Sequence, residues 1–220
     1  MFKLQSPIPK TYFSINKECF VNQWFGENLT SFYAQMGLLG HNGIDLKSKF
    51  TFRWIRNWFD AIVRGSTAEN LGVIPILASH DGYLSVGYNN SRTAGIYMKI
   101  LSPEVEIDGK PCKVETVYFH LNRIRVWRGD DHKTALEQIN GDDFVKAGTI
   151  IGWSGNTGQY TTGAHLHFGM KILWKVGREY VAEKSNGYDG CVDPMPFFQD
   201  DVIYKKYFST SKVYKNGKLI

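Results

Sequence analysis

The chain has 220 residues, 43% hydrophobic and 21% charged, which are ordinary globular values and exclude disorder as its dominant state. Lysine and arginine outnumber aspartate and glutamate by 26 to 21, a net charge of +5 that suits an anionic polymer and equally a solvated surface. Three cysteines (Cys19, Cys112 and Cys191), with no CxxC spacing, argue against a disulfide framework and a cysteine-built zinc site; they read as reduced, buried thiols, the alternative being one disulfide and one free thiol. No apolar run approaches the roughly 18 residues that cross a bilayer. An aromatic content of 15% with 22 glycines and only 7 prolines points to β-structure with many tight turns.

The first residues, MFKLQSPIPKTYFSINKE, contain no run like the roughly 7–15-residue apolar core of a secretory signal. The expectation is a chain made in the cytoplasm. In FTFRWIRNWFDAIVRG, Ile55, Phe59 and Ile62 recur at helical spacing, with Trp54 and Trp58 on an adjacent stripe and Gly65 as a stop. LGVIPILAS, GIYMKIL and KVETVYFHL then read as strands, with Asp108-Gly109 as the turn of a long hairpin. DDHKTALEQING reads as a second helix, capped by Asp130 or Asp131 and ended by Gly141. DDFVKAGTIIGWSG follows as two short strands about Lys146-Ala147-Gly148. Both helical segments look like insertions into a β-domain. From about Gln199 the chain becomes a basic tail whose order the sequence does not settle.

Four of the six histidines stand in informative places. In Gly40-His41-Asn42-Gly43-Ile44-Asp45, an imidazole and a carboxylate four residues apart can project the same way from an extended strand, with a local turn at Asn42-Gly43. In Gly163-Ala164-His165-Leu166-His167-Phe168, strand alternation puts both imidazoles on one face and Leu166 on the other. His120 ends an apolar strand. His41, Asp45 and one histidine of the HxH pair make three ligands, the number a catalytic zinc keeps while leaving a position open. The other histidine of the pair and His120 then remain for proton transfer and oxyanion stabilisation, a parts list for metal-assisted hydrolysis.

The stretches GHNGIDL, TVYFHL, FVKAGTIIGWSGNTG, GAHLHF and CVDPMPF, in this order, resemble the lysostaphin and LytM-type zinc endopeptidases, which cut peptidoglycan cross-bridges and stem peptides. The resemblance implies a mainly β fold: an antiparallel, distorted sandwich with a groove over a zinc site and one or two short helical insertions. It implies that His41, Asp45 and His167 bind Zn2+, that His120 and His165 are the catalytic pair, and that Tyr33 stands near the oxyanion. His80 and His132 match no family position, and Gly152, Gly155 and Gly158 would turn the chain beside the HLH strand to leave room for substrate. The expected organisation is an N-terminal lead-in over 1–22, a metallopeptidase domain over 23–198 with insertions at about 47–71 and 127–141, and the basic tail over 199–220.

The function so implied is hydrolysis of peptide bonds in peptidoglycan, the cell-wall peptide being the partner, without nucleic acid or membrane span. With no secretory signal read, delivery by lysis or within a bacteriophage particle is expected, in company with tail or virion proteins. The rival from another class is a catalytically idle scaffold on the same fold. Such relatives lose metal ligands, and all five polar positions stand here.

Overall fold

The computed structural model describes residues 2–10, 17–28, 32–47, 74–89, 94–124, 140–159, 161, 163–206 and 212–220. Among the described residues fifteen strands make one sheet: β1 (Glu18–Gln23), β2 (Ile44–Lys47), β3 (Pro75–Leu77), β4 (Gly82–Asn89), β5 (Gly95–Leu101), β6 (Val105–Ile107), β7 (Lys110–Ile124), β8 (Asn140–Val145), β9 (Ile150–Ser154), β10 (His165–Val176), β11 (Glu179–Ala182), β12 (Cys191–Val192), β13 (Ile203–Lys205), β14 (Val213–Lys215) and β15 (Lys218–Leu219). A single helical turn, α1 (Phe32–Gln35), precedes β2. The long path runs β15-β14-β13-β1-β2-β10-β7-β5-β4-β8, with β11 and β12 on β10, β6 and β9 on β7, and β3 on β9. Every pairing is antiparallel except that of β1 with β13, so the sheet is open and mixed.

The first segment read as a helical insertion lies outside the described residues, as does the second up to residue 139, with Trp54, Trp58, Phe59 and His132 among them. The second was expected to end at Gly141, whereas β8 already begins at Asn140. The apolar runs read as strands supply β3, β5, β7 and β9. Asp108 and Gly109 both have positive φ (51° and 73°), the geometry of a two-residue hairpin whose twist matches its strands, and Ile107 pairs with Lys110 across it. Asn216 and Gly217 make the same kind of turn between β14 and β15 (φ 50° and 71°). The stretch read as a basic tail therefore contributes three strands. Leu4 also forms an isolated parallel bridge to Phe198, outside the named strands.

One apolar core lies behind the strands that carry the histidines. Leu166, Phe168 and Met170 of β10 face it with Ile44 and Leu46 of β2, Tyr118 of β7 and Met98 and Ile100 of β5, all fully buried. Period-two alternation then sends His165 and His167 to the opposite face of β10. Gly155, just after β9, allows β9 to lie against β7: a Cβ there would stand 2.5 Å from the Asn122 amide nitrogen. That glycine thus serves strand packing. His80 is a core-satisfying histidine, its Nδ1 on the Asp81 carbonyl at 2.8 Å and its Nε2 on Thr116 Oγ1 at 3.0 Å. All three cysteines are free and buried, and burial pushes the Cys191 thiol up to about 11.

Candidate metal centre

The centre forms where β2, β10 and β7 lie side by side. Antiparallel register places His167 opposite Asp45 on one side and opposite Phe119 on the other, with His165 opposite Lys47. His41 precedes β2, and a bend at Asn42-Gly43 returns its ring over the strand. Gly43 is required there: a Cβ would stand 2.8 Å from the His167 ring and 2.7 Å from the Phe168 carbonyl oxygen. His167 is further held by stacking on Phe119, with ring centroids 5.0 Å apart and planes 12° off parallel.

Three donor atoms converge. His41 Nε2 lies 2.9 Å from His167 Nδ1, and Asp45 Oδ1 lies 3.2 Å from each of them. Ligands about 2.0–2.1 Å from a tetrahedral zinc stand about 3.3–3.4 Å from one another, so this triangle is close to the right size. Burial alone would raise the Asp45 carboxyl, but hydrogen bonds and charge from His167 and His41 outweigh it and hold the group well below the usual carboxylate range. Burial likewise lowers His167, favouring a neutral ring with a lone pair to give. One carboxylate oxygen and two imidazole nitrogens form the nitrogen–oxygen donor set that zinc takes. Among the described residues this is the sole group of three such side chains placed to share an ion.

Carbonyl groups fix the tautomers, because a carbonyl accepts and never donates. His41 Nδ1–H donates to the Trp24 carbonyl at 3.2 Å, leaving Nε2 basic. His120 Nδ1–H donates to the Thr157 carbonyl at 2.8 Å, and His165 Nδ1–H to that of Gly163 at 2.7 Å. His120 and His165 therefore both present basic Nε2 atoms. Their ring centroids are 4.8 Å apart, and His165 Nε2 lies 3.6 Å from Asp45 Oδ1. Burial, then the neighbouring His165 and His167, pull His120 down to about 4, so its ring is neutral near pH 7.

Tyr33, in α1, packs its ring 5.8 Å from that of His41. Burial and the Asp45 charge push its phenol up to about 12, so it stays a hydrogen-bond donor. The structure thus brings His41, Asp45, His167, His120, His165 and Tyr33 into one neighbourhood. Three carbonyl partners, those of Trp24, Thr157 and Gly163, were not singled out from the sequence. Main-chain groups carry no residue-type signal, and the side chain of Thr157 offers only an indirect one. Its hydroxyl donates to the Leu121 carbonyl at 2.7 Å and accepts from Ile96 N–H at 3.0 Å, tying the GNTG turn to β7 and β5.

Comparison with known proteins gives this geometry its context. Lysostaphin of Staphylococcus simulans and Lysostaphin of Staphylococcus staphylolyticus are each 39% identical to the chain over 82 residues. Those matches cover 37% of this chain and only 12% of either relative. Among solved structures, the catalytic domain of the antimicrobial peptidase lysostaphin from Staphylococcus simulans aligns with a TM-score of 0.47 and 23% identity, covering 82% of this chain and 92% of that one. A zinc-containing peptidase from Vibrio cholerae aligns at 0.46 and 21%, covering 78% and 37%. The family description Peptidase family M23 matches residues 67–181, just over half of the chain. That span holds His120, His165 and His167; His41 and Asp45 precede it and join the others through the β2–β10 pairing. On this match the chain belongs to Peptidase family M23, a family of zinc-dependent metallopeptidases.

Proposed function

We propose that this protein is a zinc endopeptidase that hydrolyses peptide bonds in peptidoglycan. The observation that carries the reading is the convergence of His41 Nε2, Asp45 Oδ1 and His167 Nδ1 beside two further histidines whose Nε2 atoms are free to move protons. Family membership supports the chemistry, and the lysostaphin matches support the class of substrate.

In this proposal His41, Asp45 and His167 hold the ion. Zinc there supplies Lewis-acid activation of water and of the scissile carbonyl. His120 and His165 share the proton traffic. A neutral Nε2 on one accepts the proton of the attacking water, and the other donates a hydrogen bond to the oxygen that becomes charged or delivers a proton to the leaving amine. The carbonyls behind both rings keep the basic nitrogen turned inward throughout. Tyr33 supports the same oxygen as a neutral donor.

The test separates binding from chemistry. His167→Ala abolishes zinc retention. His120→Ala retains zinc and loses turnover by about 10²- to 10⁴-fold, the usual contribution of a positioned acid or base. Zinc content by mass spectrometry and cleavage of a wall peptide read the two separately. A His120→Ala protein that cuts at the wild-type rate removes His120 from the mechanism.

A further inference from the structure

His41 lies outside regular secondary structure, and one turn, Trp24–Glu27, holds it. Its N–H donates to the Glu27 carbonyl at 2.9 Å, and its own carbonyl accepts from Gly26 N–H at 2.8 Å. Its Nδ1–H donates to the Trp24 carbonyl. The direction of its Nε2 therefore follows the shape of this turn. Across its backbone the turn closes weakly, Glu27 N–H reaching the Trp24 carbonyl at 3.3 Å. The Glu27 side chain closes it a second time, Oε2 accepting Trp24 N–H at 3.0 Å. Lys206, which follows β13, holds the same carboxylate, its Nζ 2.9 Å from Oε2 and 2.8 Å from Oε1. Tyr214 of β14 packs on the Trp24 ring with centroids 5.5 Å apart.

We propose that Glu27 is a positioning residue for the metal centre: its carboxylate, anchored from the C-terminal strands by Lys206, fixes the turn that aims His41 Nε2 at the ion. The inference rests on the reading that His41 binds zinc. A carboxylate accepting a main-chain N–H makes a charge-assisted bond, roughly twice as strong as a neutral one. The Lys206 pairing is about a quarter exposed on each side (27% and 26%) and contributes little energy of its own; its part is to keep the carboxylate over Trp24. Removing the carboxylate leaves Trp24 N–H without this acceptor. The Trp24 carbonyl is then free to turn, and His41 loses both its fixed tautomer and its aim.

The experiment measures the zinc dissociation constant of the full chain by competition with a chromogenic chelator, together with thermal melting of the metal-free protein. Glu27→Ala weakens zinc by about 10- to 100-fold, the range for loss of a ligand's outer partner. Glu27→Gln loses the Lys206 ion pair and the charge on the Trp24 bond, but its amide oxygen still accepts from Trp24 N–H, and it stays within about fivefold of wild type. A merely structural role would lower the melting temperature of the metal-free Glu27→Ala protein and leave its zinc affinity unchanged, and that result overturns the proposal. Should Glu27→Ala not fold, Glu27→Asp decides, since its carboxylate is one methylene too short. Weakening by at least about tenfold supports the proposal, and wild-type affinity overturns it. His41→Ala is the control: if it binds zinc as wild type does, the metal-centre reading itself has failed, whatever Glu27 does.

Discussion

His120 has φ at 62°, a left-handed conformation that costs a residue with a Cβ about 1–2 kcal/mol and concentrates at working sites. It falls where the register of β7 against β5 shifts, between Tyr118 and Leu121, and the ring there meets the Thr157 carbonyl. Two variants that both lack the imidazole expose this cost. His120→Gly should be more stable than His120→Ala by about 1 kcal/mol in urea unfolding with chelator present, because glycine adopts this φ freely. His80 gives a second prediction at this scale, away from the metal. Burial holds its pKa below the ordinary 6.5, so the native state binds that proton less readily than the unfolded chain. Its contribution to stability is complete above pH 6.5 and is lost as the pH falls below it. A His80→Gln protein should show a flatter fall in melting temperature between neutral and acid pH. Spacing and strand parity made His41, Asp45 and the HxH pair legible as candidate ligands, whereas the choice of His167 over His165 came only from the family resemblance. The strain at His120 was not legible, since a left-handed φ in a histidine leaves no mark on the residue type.

At the scale of elements, β7 is one strand with two sets of neighbours. Residues 112–119 pair with β10, and beyond His120 the strand passes to β9, with register shifts against β5 and β9 on either side. Thr157 pins this crossing by bonding main-chain groups of Leu121 and Ile96. Thr157→Val preserves shape and leaves both groups without that partner. It should lower stability by about 1–3 kcal/mol in thermal or urea unfolding, and Thr157→Ser should restore most of it. The Asp108-Gly109 hairpin was readable because its turn residues act locally. Asn216-Gly217 carries the same local signal, yet the flanking basic residues masked strands that become clear only through their pairing with β13. The parallel β1–β13 contact joins residues nearly the whole chain apart, and local periodicity does not reach that far.

The whole molecule couples its sheet to its metal centre, since the donors come from strands and loops far apart in sequence. An ion that binds only the native state stabilises it, by about 2.7 kcal/mol when free zinc is a hundredfold above its dissociation constant. Chelation should therefore lower the melting temperature, and zinc should restore it; a calorimetric scan with and without chelator checks this. The mainly β class was legible from turn-punctuated apolar runs, while the joining of β13, β14 and β15 to β1 in one open sheet was not. The most direct test of the account is digestion of purified peptidoglycan, with and without chelator, reading new amino termini by mass spectrometry. The account predicts new termini that vanish with chelator and return with added zinc. Zinc bound at the centre with no cleavage of any of several wall chemotypes would contradict it and point to an idle scaffold on the same fold.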